Sequence, residues 1–121
     1  EVDALNGQPG VFSKRFAGLN ASSDDNIDKL LEMLGNNTNR AARFKTVISL
    51  SKNSEIITFE GICEGNIGYE RMGDLGFGYD PVFIPKNQNI SFGQMSLSEK
   101  NLIAHRAKAI NKLVDYLTNL Y

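Results

Sequence analysis

The sequence predicts a single α/β domain over residues 1–121, in which helices flank a sheet that contains an antiparallel hairpin. Two β-rich runs, 43–51 and 55–64, are separated by a short polar gap, which is typical of a hairpin. Helical spacing of apolar residues before the hairpin, and a Ser-x-x-Glu capping box at Ser96, predict the flanking helices. A chain of this length is sufficient for one hydrophobic core.

The residues before the hairpin predict turns and two helices. Asn-Gly and Pro-Gly dipeptides mark turns before residue 11, and residues 11–18 favour a short, glycine-terminated helix. Lys14 and Arg15 on it are typical of a solvated face, with a phosphate contact as the alternative. Ser22 or Ser23 is the expected N-cap of the second helix. Its apolar stripe consists of Ile27, Leu30, Leu31 and Leu34.

A glycine-rich loop, 73–81, precedes a third predicted strand, 82–84. Its glycines allow positive φ and a close approach to a ligand, and the proline after Asp80 favours an extended conformation at Asp80. Phe77 and Tyr79 offer aromatic faces to a flat ligand, and Asp80 offers an acceptor to the ligand's edge. The alternative is a glycine-rich turn whose aromatic residues belong to the core.

The C-terminal helical region, about 97–119, contains an anomaly at Arg106. On one helical wheel Arg106 lies in the middle of an apolar face formed by Leu102, Ile103, Ile110, Leu113, Val114 and Leu117. A buried guanidinium without a partner is costly. Either Arg106 reaches a buried anion or acceptor, or two helices meet near Ala104 and turn Arg106 elsewhere. His105 is interpreted as a packing residue or, beside Arg106, as a recognition residue.

The composition excludes several classes of function. With 13 Lys+Arg against 14 Asp+Glu, the net charge of −1 provides no basic field for a nucleic acid polymer, which also disfavours single-stranded RNA binding. Cys63 is the single cysteine, so no intrachain disulfide forms, and a reducing compartment is expected. One histidine and one cysteine exclude a His/Cys-rich metal site. No apolar run approaches 18 residues, so we expect a soluble protein without membrane partners.

Three blocks of the sequence are informative together. They are VDALNG with PGVFSKR within 2–15, GFGYDP at 76–81, and EKN with AHRAKA within 99–109. In this order they resemble the inosine triphosphate pyrophosphatase family, whose members hydrolyse ITP, dITP and XTP to the monophosphate and pyrophosphate. The resemblance implies an elongated fold with a long mixed sheet and two lobes around a nucleotide cleft. It also implies Mg²⁺ and a cytoplasmic homodimer.

By the same resemblance, seven residues match the family's substrate-binding positions. The segment that stacks on and lines the base is matched by Phe77, Gly78, Tyr79 and Asp80. Lys100 matches a lysine that contacts the substrate, and the pair that reads the purine's oxo edge is matched by His105 and Arg106. This favours a ligand role for Arg106. The family's serine before His-Arg is Ala104 here, which costs a helix cap of roughly 1 kcal/mol if a helix starts there.

The chain also departs from the family's pattern. Members begin with a strand and a T-x-N-x-x-K phosphate loop, and they carry a metal-binding glutamate and a D-S-G segment with the catalytic aspartate; none occurs here. We therefore expect the C-terminal two-thirds of the family's domain, with the base-recognition half but no catalytic or metal-binding residue, and no activity alone. The alternative is a catalytically inactive nucleotide-binding or interaction module.

Overall fold

The structure, a computed structural model, describes residues 1–120, which form helices and strands in the predicted order. They are α1 (Ser23–Leu34), β1 (Ala41–Lys52), β2 (Glu55–Ile67), β3 (Phe83–Pro85), α2 (Leu97–Asn101) and α3 (His105–Leu120). Short 3-10 helices lie between them at Asp3–Leu5, Gly10–Arg15, Asp80–Val82 and Phe92–Gln94. The predicted α/β class with flanking helices is therefore confirmed. No helix in this part of the chain is long and apolar enough to cross a membrane.

The sheet is built on the predicted hairpin, which is confirmed and longer than expected. Its strand order is β1-β2-β3 with both pairings antiparallel, and β1 pairs with β2 from Ala41 opposite Asn66 to Lys52 opposite Glu55. Asn53 and Ser54 between the strands have positive φ, as two-residue hairpin turns require. The hairpin thus extends as a long arm beyond β3, which pairs with only the last three residues of β2.

The core lies between α1, the start of the hairpin and the segments around β3. Ser22 is the N-cap of α1, where its hydroxyl accepts from the N–H of Asp25 in a complete capping box. The buried apolar residues include Ile27, Leu30, Leu34, Cys63, Val82, Phe83, Phe92 and Met95. Cys63 is therefore a buried small hydrophobe, as is usual for a free cysteine.

The C-terminal region is two helices, which confirms the predicted break near Ala104. Residues 102–104 separate α2 from α3, and Leu102 is 83% exposed, so the single helical wheel does not apply. α3 packs along β2, where the rings of Phe59 and Tyr116 lie with their centroids 5.4 Å apart. A face of α3 that carries Ile110 and Val114 remains half-exposed among residues 1–120.

Two local predictions differ from the structure. Residues 11–18 do not form an α-helix: Gly10–Arg15 is a 3-10 helix that ends before Gly18. Asp80 is not extended but begins the 3-10 helix Asp80–Val82, in which Val82 N–H donates to the carbonyl of Tyr79. The 3-10 conformation is adopted despite the extended preference of a residue before proline, because it lets the Asp80 carboxylate accept a hydrogen bond from the loop, as described below.

Candidate functional site

A cleft of about 670 Å³ lies between the glycine loop, β1 and the junction of α2 with α3. All seven residues that the sequence predicted as ligand-binding line it: Phe77, Gly78, Tyr79, Asp80, Lys100, His105 and Arg106. They come from two segments that are at least 20 residues apart, and the break before α3 places Arg106 over the Phe77 ring and His105 against β1. The fold thus gathers the predicted set at one place.

The ring of Phe77 is exposed, and two cations lie over it. Its side chain is 59% exposed, the Nζ of Lys100 lies 4.3 Å from the ring centroid, and the Cζ of Arg106 lies 5.0 Å from it. Both distances are within cation–π range. An exposed ring with hydrogen-bond donors beside it is suited to a flat ligand that has acceptors on its edge.

Asp80 lies under the loop rather than in the open cleft. It is 3% exposed, and its Oδ2 accepts from the backbone N–H of Phe77 at 2.9 Å and from Lys100 Nζ at 2.5 Å. Gly76, with a φ of 77°, passes so close that a Cβ there would press on this carboxylate. The carboxylate therefore fixes both the Phe77 backbone and the Lys100 ammonium.

Tyr79 connects the glycine loop to the N-terminal segment. Its hydroxyl donates to the carbonyl oxygen of Ser13 at 2.6 Å, across 66 residues of sequence. Burial raises the pKa of Tyr79 to about 12, so the phenol is neutral and a donor at physiological pH. Tyr79 thus lines the cleft, and its hydrogen bond holds the backbone of Ser13 at the cleft as well.

His105 is a neutral imidazole held against β1. Its ring stacks on Phe44 with centroids 5.0 Å apart and planes 12° apart, and its Nδ1 contacts the hydroxyl of Thr46. Burial, followed by the positive charges of Arg106 and Lys100, lowers the pKa of His105 to about 4. Sequence reasoning missed Phe44 and Thr46, although alternation along β1 places both on one face of that strand.

Comparison with known proteins identifies the family. Residues 1–116 match the sequence profile described as the Ham1 family. The chain belongs to the Ham1 family. Relatives named dITP/XTP pyrophosphatase include that of Flavobacterium johnsoniae, which is 50% identical over 98% of this chain and 62% of the relative. That of Staphylococcus aureus is 47% identical over 97% of this chain and 60% of the relative. The resemblance inferred from the three sequence blocks is thereby confirmed.

Solved Ham1 structures share this fold. The Staphylococcus aureus Ham1 protein superposes with a TM-score of 0.97 at 44% identity, covering 100% of this chain and 64% of that protein. A Ham1 protein from Coxiella burnetii superposes with a TM-score of 0.93 at 39% identity, covering 98% of this chain and 62% of that protein. The Ham1 chain described here therefore spans a little under two-thirds of the length of its relatives.

The carboxylates near the cleft do not fit a Mg²⁺ site. Between residues 1 and 120, no three His, Cys, Asp or Glu side chains are grouped so that they could hold a metal ion. Asp80, which lines the cleft, is bound to Lys100, and Asp3, which does not line it, is bound to the guanidinium of Arg43 at 2.8 Å. A carboxylate already neutralised by a cation is a poor ligand for a hard divalent ion.

Proposed function

We propose that this chain supplies the base-recognition half of a pyrophosphatase that hydrolyses ITP, dITP and XTP to the monophosphate and pyrophosphate. The observation that carries the proposal is the exposed Phe77 ring with Lys100 and Arg106 beside it and His105 in the same cleft. The names of the relatives, dITP/XTP pyrophosphatase, support the substrate class.

Discrimination follows from the hydrogen-bonding pattern at the purine 6-position. Hypoxanthine and xanthine carry an acceptor oxygen there, whereas adenine carries an amino donor. Arg106 is an obligate donor, so it is satisfied by the oxygen and left unpaired by the amino group. Arg106 is exposed in the structure, so the penalty arises where a bound base covers its guanidinium. An unpaired donor removed from water in this way costs roughly 1–3 kcal/mol, or about ten- to a hundredfold in discrimination. Guanine shares the 6-oxygen, so its rejection requires contacts on the opposite edge of the base.

The same proposal includes a cytoplasmic homodimer that uses Mg²⁺, and it places neither the metal ligands nor the catalytic carboxylate among residues 1–120. The metal ion would be held by residues outside those described here, and there it would supply neutralisation of phosphate oxygens. Phe77 stacks on the base, Asp80 holds Phe77 and Lys100 in place, and His105 with Arg106 reads the oxo edge. Residues 1–121 alone are therefore expected to bind the base without releasing pyrophosphate from ITP.

The test uses a chimera in which the N-terminal part of the Flavobacterium johnsoniae relative precedes this chain. Arg106→Ala should lower kcat/KM for ITP by about ten- to a hundredfold and change ATP use far less. Phe77→Ala should lower kcat/KM for ITP, XTP, ATP and GTP together, because stacking tolerates any base. Arg71→Ala is the matched control, since Arg71 is an exposed arginine outside the residues that line the cleft.

Three results would count against the proposal. Equal losses for all four nucleotides in Arg106→Ala would assign Arg106 to phosphate binding or to structure. Robust pyrophosphate release by residues 1–121 alone would mean that the chain carries the catalytic groups itself. A chimera that binds ITP without turnover would favour the nucleotide-binding module.

A further inference from the structure

Two residues of β1 fix the imidazole of His105. Phe44 and Thr46 are two positions apart, so their side chains leave the strand on the same face. The Phe44 ring lies parallel to the imidazole, which sets the plane of the imidazole, and the Thr46 hydroxyl meets its Nδ1 edge, which sets the rotation within that plane. The first residue of α3 is thereby anchored to the hairpin.

The direction of the hydrogen bond between Thr46 and His105 depends on the tautomer of the imidazole. A neutral imidazole has one N–H and one lone pair, and a hydroxyl can both donate a proton and accept one. For the Thr46 hydroxyl, the structure of residues 1–120 gives Nδ1 of His105 as its hydrogen-bond partner. If Nδ1 carries the lone pair, the hydroxyl donates to it; if Nδ1 is protonated, the hydroxyl accepts from it. With Thr46 as the donor, the ring proton lies on Nε2.

We propose that Thr46 is a positioning residue that holds His105 in the Nε2–H tautomer, so that the imidazole offers the bound base a donor. The inference rests on the proposed function and assigns part of its specificity to a strand residue outside the three sequence blocks. An imidazole that exchanged tautomers freely would place a lone pair on Nε2 and accept a hydrogen bond from the amino group of adenine. A fixed Nε2–H matches the 6-oxygen of hypoxanthine and xanthine and opposes that amino group.

The charges around the ring make the tautomer, rather than protonation, the relevant variable. Arg106 and Lys100 oppose an imidazolium and Asp80 favours it, while burial contributes most and keeps the ring neutral at pH 7. The backbone oxygen of Lys45 also faces the ring and favours a ring proton. A proton on Nδ1 donated to that oxygen is the competing arrangement, and it would leave Nε2 as an acceptor.

The tautomer is measurable directly because His105 is the only histidine in the sequence. A long-range ¹H–¹⁵N correlation of the 121-residue chain at pH 7 contains one imidazole, and the nitrogen with the lone pair resonates well downfield of the protonated one. We expect the lone pair on Nδ1 in the wild type and in Thr46→Ser. Thr46→Val, which keeps the shape but removes the hydroxyl, should show mixed tautomers. Thr58→Val, which removes an exposed threonine hydroxyl from β2, should match the wild type.

Binding of inosine and adenosine monophosphates to the same proteins links the tautomer to specificity. Thr46→Val should reduce the preference for inosine monophosphate by about tenfold, and Thr46→Ser should retain it, because a neutral hydrogen bond contributes about that factor. A mere packing role would weaken both nucleotides equally, which would overturn the inference.

The spectrum of the wild type decides the inference even if Thr46→Val fails to fold. A proton on Nδ1, together with a normal preference for inosine monophosphate, would overturn the role of Thr46 and leave the proposed function standing. Failure of the wild type to bind either nucleotide would instead overturn the proposed function and, with it, the specificity that we assign to Thr46.

Discussion

Replacing Gly61 with alanine should move the helix that carries His105 and Arg106. A Cβ on Gly61 would lie 2.6 Å from the backbone nitrogen of Ala109 and 2.9 Å from the carbonyl carbon of His105, and it would overlap the carbonyl oxygen of His105. These are backbone atoms, so no rotamer change relieves the overlap. α3 must move from β2 by about 1 Å, and such overpacking costs about 1–3 kcal/mol.

Gly68→Ala provides a matched control at the end of the same strand. Gly68 is also buried and directly follows β2, but a Cβ there would meet its nearest atoms at 3.5 Å, an ordinary contact. Urea unfolding of both variants should show Gly61→Ala clearly less stable than Gly68→Ala. Because a 1 Å displacement of a reacting geometry can cost about a hundredfold in rate, kcat/KM for ITP in the chimera should fall with it. Equal stability and equal kcat/KM in the two variants would refute the reasoning.

Two further substitutions test the junction and the loop. Ala104 precedes the first residue of α3, so Ala104→Ser should supply an N-cap for this helix. The free energy of unfolding, measured in urea, should rise by roughly 0.5–2 kcal/mol relative to the wild type. A fall instead of a rise would show that the hydroxyl cannot reach the helix N–H groups. Asp80→Asn leaves the buried Lys100 ammonium without its counter-charge and should cost about 3–5 kcal/mol. Adding Lys100→Met should recover part of that loss, whereas strictly additive losses would show that the pair is not coupled.

The sequence predicts those elements whose signals are local. The hairpin follows from two β-rich runs and a polar gap. The start of α1 follows from an N-cap serine, expected at Ser22 or Ser23, and that of α2 from the capping box at Ser96. The break before α3 was inferred from a conflict, because Arg106 is too polar for the centre of an apolar stripe. These features depend on a few neighbouring residues, so no knowledge of tertiary contacts is needed.

The features that sequence reasoning missed depend on long-range contacts. Arg40 is buried, and its guanidinium donates to the carbonyls of Gly35, Asn37, Ile67 and Gly68, which joins the end of α1 to the end of β2. Its sequence neighbourhood gives no sign of this. Thr46 and Phe44 likewise become site residues only when α3 lies across β1. The predicted role of Asp80 as a ligand acceptor also left out its bonds to Phe77 and Lys100, because a loop's internal hydrogen bonds have no sequence pattern.

The side chains to which the proposed function assigns base recognition are held in place by contacts within this chain. The ammonium of Lys100 is fixed by the Asp80 carboxylate, and the imidazole of His105 is fixed by the hairpin, so neither needs a phosphate group or a metal ion to be oriented. Preorganised donors lose little conformational entropy when a base binds. They also cannot turn away from the 6-amino group of adenine to avoid placing donor against donor. Under the proposed function, choice of base and hydrolysis of the triphosphate are therefore separable properties. A substitution at Gly61, Thr46 or Asp80 should therefore alter which purine is bound before it alters how the phosphates react.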